Sequence, residues 1–448
     1  MPNSCQINSF SSEWLLSRTV RICCDENEKI CMMRECDVCQ EKQICFDEST
    51  AKDSNLVFWS EWSTTNQEYQ NDGQTKLAKV TAKCMKHGTV QELKGQFDSA
   101  VRNDFVRHVY TVRHQFRAYR SLKDSLQSNE AVIHIDFSEN YECKCASEIQ
   151  SAHFGASNRQ VTVHTGVMYR SDGHQSFASI SESLRHDPAA IWAHLKPVLL
   201  QLRQSYPQVT DLHFYSDGPT TQYRNKQNFY LLSTQVYKMG FLCATWNFMA
   251  SGHGKGSPDA IGGAVKRQAD ALVNAGHDIM DARSLFDSLQ QTDSVITLHF
   301  ILPTNIDSMD GECSKSLKPL PGTMKIHQLL VDYERSLAYR SLSCFCTRPT
   351  ICSCYDVRRS VFAREESALV LSSSVVVEIP NCTTNEDPAE GISVMESSPA
   401  ELSVTENITS PLASTSVHLS TKSFYSKTTA EPRSKRAKRV PSRLLNFV

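Results

Sequence analysis

Three aspartates stand where an α/β protein would place reactive carboxylates. Asp136 closes the β-rich run 131–137 (AVIHIDF), and Asp217 closes the run 211–216 (DLHFYS). Asp259 opens a helix just after the strand-like segment 241–250 (FLCATWNFMA) and the glycine-rich turn 252–256. In open α/β sheets functional groups collect at the carboxyl ends of strands. Carboxylates from two adjacent strands and a following helix can converge, and such hard oxygen ligands suit Mg²⁺ or Mn²⁺. Two ions about 4 Å apart can activate water or a 3′-hydroxyl and stabilise the leaving oxygen of a phosphodiester. Each acid alone also has a plain structural reading. Asp136, followed by Ser138, suits a turn, Asp217-Gly218-Pro219 is good turn chemistry, and Asp259 favours a helix dipole. The joint order of the three favours the catalytic reading.

The elements that must position them alternate. Residues 159–169 (RQVTVHTGVMY) read as a strand. Asp187-Pro188 opens a helix to about Ser205, with the acid at the cap and proline at the first helical position. A helix is expected from about Thr221 to Lys238, and residues 295–302 (VITLHFIL) form a late strand. This pattern predicts a mixed α/β sheet over 129–303. Before it, apolar residues from Leu93 to Leu126 recur at steps of three or four, so 80–128 reads as an amphipathic helical segment. Off its apolar stripe lie Arg102, Arg107, Arg113, Arg117, Arg120 and Lys123, either a solvated face or a contact to a nucleic-acid backbone. Residues 66–76 read as an exposed link.

Basic side chains also surround the acids. Lys255 in the glycine-rich turn, with Lys266 and Arg267, could approach a phosphate. Gln222, Arg224 and Lys226 could do the same beyond Asp217. The turn is not a phosphate loop of the GxxxxGK[ST] kind, because the spacing and the hydroxyl residue are wrong. His253 could serve as a ligand or base, but a structural turn histidine is the favoured reading.

Of 17 cysteines, six fall in residues 23–45 and four in residues 344–354. Cys31, Cys36, Cys39 and Cys45 form one expected Zn²⁺ set, with Cys23 and Cys24 upstream. Cys344, Cys346, Cys352 and Cys354 form the other, which Cys313 or His327 could join. Thiolates in fours suit tetrahedral Zn²⁺. Dense free thiols would be open to oxidation. Cys143 and Cys145 alone are a weak pair. Two cysteine-rich modules, 1–62 and 304–360, are thus expected to flank the core.

The formal net charge is −2, so any nucleic-acid contact must come from local basic patches. The N-terminal residues do not read as a signal peptide, and no stretch reaches the roughly 18 apolar residues of a membrane span. The chain is expected to be soluble and intracellular, with no membrane partner. Sequons at Asn381 and Asn407 would matter only in a secreted protein. Beyond residue 365 serine, threonine and proline dominate, and 366–448 reads as a disordered tail. Its run 433–439 carries five basic residues in seven, which reads as nuclear localisation or a nucleic-acid patch.

The series of acids resembles the ribonuclease-H-like core of cut-and-paste DNA transposases. Those carry two strand-end aspartates and a third acid on a later helix. More closely, HIDFSENY, SAHFG, SDGPTTQYRNK and GHGKGSPDAIGGAVKR are together similar to a group of transposon-derived proteins of animal genomes, over roughly residues 80–355. The resemblance implies Mg²⁺- or Mn²⁺-dependent DNA strand cleavage and transfer, with Asp136, Asp217 and Asp259 as the metal-binding triad. Many such enzymes have glutamate as the third acid. Here the position falls to Asp259, with Asp270, eleven residues on and nearly on the same helical face, as substitute. DNA is the expected partner, and self-association into a homo-oligomer stays open. Two other readings compete: a domesticated DNA- or chromatin-binding protein without turnover, and a zinc-dependent protein-interaction module.

Overall fold

The computed structural model describes residues 22–46, 53–71, 74–147, 159–314, 316–348 and 350–362. The SAHFG segment, both sequons, the tail 366–448 and the basic run 433–439 lie outside the described residues. In chain order the elements are α1 (Lys29–Met32), β1 (Leu56–Asn71), β2 (Gln74–Thr89), α2 (Val90–Ala100), one wide π turn (Val101–Phe105), α3 (Val106–Asp124), β3 (Glu130–Phe137), β4 (Tyr141–Glu142), β5 (Gln160–Arg170), β6 (Gly173–Ser181) and α4 (Pro188–Ser205). Then follow β7 (Asp211–Ser216), α5 (Lys226–Lys238), β8 (Cys243–Phe248), α6 (Ser257–Asn274), α7 (Ala282–Gln290), β9 (Thr297–Ile301), α8 (Pro303–Gly311), β10 (Gln328–Val331), β11 (Ser336–Arg340) and β12 (Arg358–Val361).

A large mixed sheet runs in the order β12-β11-β10-β8-β7-β3-β5-β6-β9, with β4 paired to β5. β3, β7 and β8 are mutually parallel. β3, β5 and β6 form an antiparallel meander. Strands covered on both faces need continuous apolar character. Accordingly β3 is buried over its first six residues and β7 along its whole length. Helices lie on both sides. On one face Trp192 and Leu199 of α4 and Phe229 of α5 pack with Phe214 and Trp246 of the sheet. On the other, α3 sets Tyr119 and Leu122 against Val132 and Tyr215, and α6 and α7 cover Val161, Val163 and Ile180. No described helix is long and apolar enough to cross a membrane.

The helix starts follow local chemistry. Asp187 accepts from Ala190 N at 3.0 Å, and Asn225 accepts from Gln227 N and Asn228 N. At the start of α2, Thr89 and Glu92 form a reciprocal capping box. The cap at Asn225 moves the start of α5 to Lys226, several residues later than the expected Thr221.

Three boundaries differ from expectation. Of the expected link 66–76, residues 66–71 and 74–76 are instead the far ends of two paired 16-residue strands, β1 and β2, whose last paired residues are Asn71 and Gln74. The helical segment therefore starts at Val90 rather than residue 80, and the module expected over 1–62 ends where β1 begins. Residues 304–360 are not a separate module. β10 and β11 continue the main sheet from β8, so the C-terminal cysteines sit on a loop of that sheet.

A buried polar network closes this edge. Asn247 of β8 accepts from Gln328 Nε2 and Ser343 Oγ, each at 2.9 Å. Gln115 of α3 donates to Ser343 Oγ at 2.9 Å and to Phe248 O at 2.9 Å, and it accepts from Ser343 N. Gln115, Asn247 and Gln328 are each 0 % exposed. Removing one member strands the others without water. Gln115→Leu should lower stability by about 2–4 kcal/mol, seen as a lower urea midpoint at unchanged slope. An unchanged midpoint would show that α3 is held by apolar packing alone.

Candidate metal centres

The parallel pairing of β3 with β7 sets the level of the first two acids. His134 pairs with Tyr215, so Asp136 and Asp217, each two residues further on, sit side by side at the carboxyl ends. Neighbouring strands are about 4.8 Å apart, so two carboxylates meet there. Burial, then the charges of Asp217 and Asp259, push Asp136 up to about 7. Burial, then Asp259, push Asp217 up to about 6. Asp217 Oδ1 is buried with no hydrogen-bond partner.

The third acid arrives through the turn before α6. A Cβ on Gly254 would lie 2.2 Å from Asp217 Cβ, and one on Gly256 would lie 2.7 Å from His134 Cε1. Only glycine lets this backbone rest on the strand ends. Asp259 thereby comes within electrostatic reach of both other acids, while its Oδ2 accepts from Gly256 N at 2.7 Å. It is thus also a helix cap. Asp270 instead pairs with Lys144 at 2.6 Å and accepts from Tyr141. It is not among the charges acting on Asp136 or Asp217. The oxygens of Asp136, Asp217 and Asp259 are not drawn as close as the cysteine sulfurs described next. Among the described residues only two cysteine sets have all ligand atoms within 4.8 Å of one another.

The first set is Cys24, Cys31, Cys36 and Cys39. Cys24 thus takes the place expected for Cys45, which is outside the set. The backbone N–H groups of Val38 and Cys39 aim at Cys36 and bring its thiol down to about 7. Arg34, at φ 61°, reaches back to the carbonyls of Ile22, Gln40 and Lys42 and cinches the loop.

The second set is Cys344, Cys346, Cys352 and Cys354, as expected. Cys346 Sγ and Cys354 Sγ are 3.8 Å apart. With Zn–S near 2.3 Å, the edge of a tetrahedron is also about 3.8 Å. Arg340, 2 % exposed, donates to Cys352 Sγ at 2.8 Å, to Cys344 O at 2.8 Å and to Gln328 Oε1. Burial raises the Cys352 thiol, but hydrogen bonds from Arg340, from the Cys354 backbone and with the Cys346 and Cys344 thiols together outweigh it and take the group down to about 6. Both tetrads could therefore hold a metal such as Zn²⁺. Cys313 and His327 stay outside, bonded to the carbonyls of Met309 and Ser341.

The basic residues divide. Lys255 and Arg267 are exposed, and Lys255 lies close enough to Asp136 to oppose its shift. Lys266 is half-buried near Glu139 and Asp270. Gln222 belongs to the turn before α5, where its carbonyl accepts from Asn225. Lys226 is taken up by Leu317 O at 2.7 Å. Arg224 is 5 % exposed and donates to Met324 O and Met249 O, so it braces the loop behind Asp217 rather than meeting a phosphate. Much of the basic face of the helical segment is likewise used internally. Arg107 donates to Met33 O, Arg113 pairs with Glu26 at 2.7 Å, and Arg117 donates to Asn27. These contacts dock the first cysteine module. Arg102 pairs with Asp98, which accepts from Ile44 N of that module. His253, the turn histidine, faces the ring of His108 at 5.1 Å.

A family described as a domain of unknown function (DUF8701) matches residues 115–343, just over half of the chain. This chain belongs to that family. The matched segment holds all three acids and neither cysteine tetrad, and it begins and ends on the hydrogen-bonded pair Gln115 and Ser343. No curated protein and no solved structure matches the chain.

Zinc content separates the two versions of the first tetrad. Cys24→Ser should remove about one equivalent of Zn²⁺ from the purified protein and Cys45→Ser none, because four thiolates complete the site. Equal losses would reinstate Cys45. Cys352→Ser with Cys354→Ser should remove a second equivalent. The acids make a separate prediction for zinc-loaded protein without Mg²⁺. Their folded pKa values lie above the ordinary 3.8. Between about pH 4 and pH 7 the folded chain therefore keeps protons that the unfolded chain has released, and stability falls as pH rises. Asp136→Asn should flatten that fall and stabilise the protein at pH 8 by on the order of 2 kcal/mol. A variant that is less stable at pH 8 would contradict the crowding of these carboxylates.

Proposed function

We propose that this chain is a transposase-like protein. In this reading a ribonuclease-H-like core cleaves and joins DNA strands using divalent cations held by Asp136, Asp217 and Asp259. The observation that carries the reading is the level pairing of Asp136 and Asp217 on neighbouring parallel strands, with Asp259 of the following helix raising the pKa of both. That arrangement matches what the resemblance to transposon-derived proteins implies. Carboxylates this crowded are costly without a counter-charge. The unpartnered Asp217 Oδ1 is a hard donor suited to Mg²⁺ or Mn²⁺. A bound ion would supply the Lewis acidity that phosphodiester cleavage needs. Asp136, near 7, can exchange a proton at neutral pH, and exposed Lys255 beside it can meet a phosphate oxygen. Arg224 fixes the loop that carries Asp217. The basic run 433–439 supports a nuclear location, and the cysteine tetrads serve as structural Zn²⁺ sites beside the core.

One observation favours a second reading, a DNA-binding protein without turnover. Asp259 Oδ2 is committed to the N-terminus of its own helix, so binding an ion would compete with that cap.

Asp217→Asn decides between them. It keeps shape but loses the charge that holds the ion. It should abolish Mg²⁺- or Mn²⁺-dependent DNA cleavage while leaving salt-sensitive DNA binding largely intact. Cleavage by the variant at the parent rate would overturn the triad. DNA binding by the parent with no cleavage under either metal would establish the second reading.

A further inference from the structure

The hairpin β1–β2 is the one large element that the core does not explain. Its strands pair in register from Leu56 with Thr89 to Asn71 with Gln74. Sixteen residues per strand make a ribbon roughly 50 Å long. An isolated two-stranded ribbon is marginally stable in water. Its faces differ. One carries Val57, Trp59, Ala78, Val80, Ala82 and Cys84, all half-buried. The other sets Phe58 opposite His87, Ser60 opposite Met85, Trp62 opposite Lys83 and Asn66 opposite Lys79, and all of these are exposed.

On that outer face Phe58 is 73 % exposed, Trp62 53 % and Met85 69 %. Exposed apolar groups so concentrated mark a binding surface. The charges choose the partner. Lys79 and Lys83 stand on the same face with no ion pair among the described residues. Stacking the face on a second copy would bury two lysines per copy against a single acid, Glu68, which is unfavourable. A polyanion with accessible ring faces satisfies both features. Lysines take phosphates, and exposed aromatic rings stack on unpaired bases, whose faces a duplex hides. Phe58 and Trp62 are four residues apart on one strand, as are Lys79 and Lys83 on the other. Each pair spans about 13 Å.

We propose that this outer face of the hairpin binds single-stranded nucleic acid. The inference stands on the hairpin alone and does not need the carboxylates to be catalytic. The test uses full-length, zinc-loaded protein, a labelled 20-nucleotide oligo(dT) and a sequence-matched duplex. Phe58→Ala with Trp62→Ala should weaken oligo(dT) binding by about tenfold or more, because base stacking on two rings is lost. Duplex binding should change little. Lys79→Ala with Lys83→Ala should lower the slope of log affinity against log salt by about 1.4, from two phosphate contacts at about 0.7 each. Unchanged zinc content and far-ultraviolet dichroism would exclude misfolding. Oligo(dT) affinity and slope unchanged in both variants would overturn the proposal. So would conversion of a dimer to a monomer by the aromatic pair of changes with oligo(dT) binding retained, which would make the face a self-association surface. Both double variants keep Asp136, Asp217 and Asp259, so either result leaves the cleavage test of Asp217→Asn unaffected.

Discussion

The polar chain that runs from Gln115 through Ser343, Asn247 and Gln328 to Arg340 is the constraint on which the rest of the architecture leans. Each member is buried, so each must be bonded to another. Gln115 fixes α3 on the sheet, Asn247 and Gln328 join β8 to β10, and Arg340 hands the connection to Cys352 and Cys344. A cysteine tetrad beside the sheet and a helix across it are therefore one hydrogen-bonded body. Glu130 adds a parallel tie, since it accepts from Arg348 at 2.9 Å at the opposite end of β3 from Asp136. The family boundary on Gln115 and Ser343 agrees with this view. The segment that the family spans is the one that this pair closes.

Beside this network, at the carboxyl ends of β3 and β7, the logic inverts. There the chain tolerates crowded carboxylates, an orphaned oxygen on Asp217 and a backbone turn that only glycine permits. Arg348 of the cysteine loop reaches Glu130 at the N-terminal end of β3, and the carboxyl ends of β3 and β7 carry Asp136 and Asp217.

Much of this was legible in residue order. Strand-end aspartates, the Asp187 cap and the long helical stripe from Leu93 all depend on local chemistry, which sequence records directly. The choice of Asp259 over Asp270 was not, because helical periodicity places both on nearly one face. What separates them is Lys144 and Tyr141, residues more than a hundred positions away that engage Asp270. The substitution of Cys24 for Cys45 was hidden too, since the path of the loop rather than the spacing of the cysteines gathers the four sulfurs. The hairpin did leave a signal, Asp72-Gly73 between two polar alternating runs, a favoured two-residue hairpin turn. It was read as a link because the residues next to the turn, 66–71 and 74–76, are almost all polar, and the alternation of small apolar residues with lysine and threonine starts only at Ala78. Arg224 was misplaced because a surface turn motif gives no sign that its guanidinium will be swallowed by carbonyls of Met249 and Met324.

The contact between Gln115 and Ser343 also carries a temporal consequence. The partners are separated by 228 positions, and Glu130 and Arg348 by 218. During synthesis β3, β7 and β8 are complete long before β10 and the cysteine loop exist. Until then Asn247 and the outer edge of β8 face water with their hydrogen-bonding groups open. Late-made residues thus act as a latch, and the nascent chain must wait, with an unguarded sheet edge, for its own closing segment.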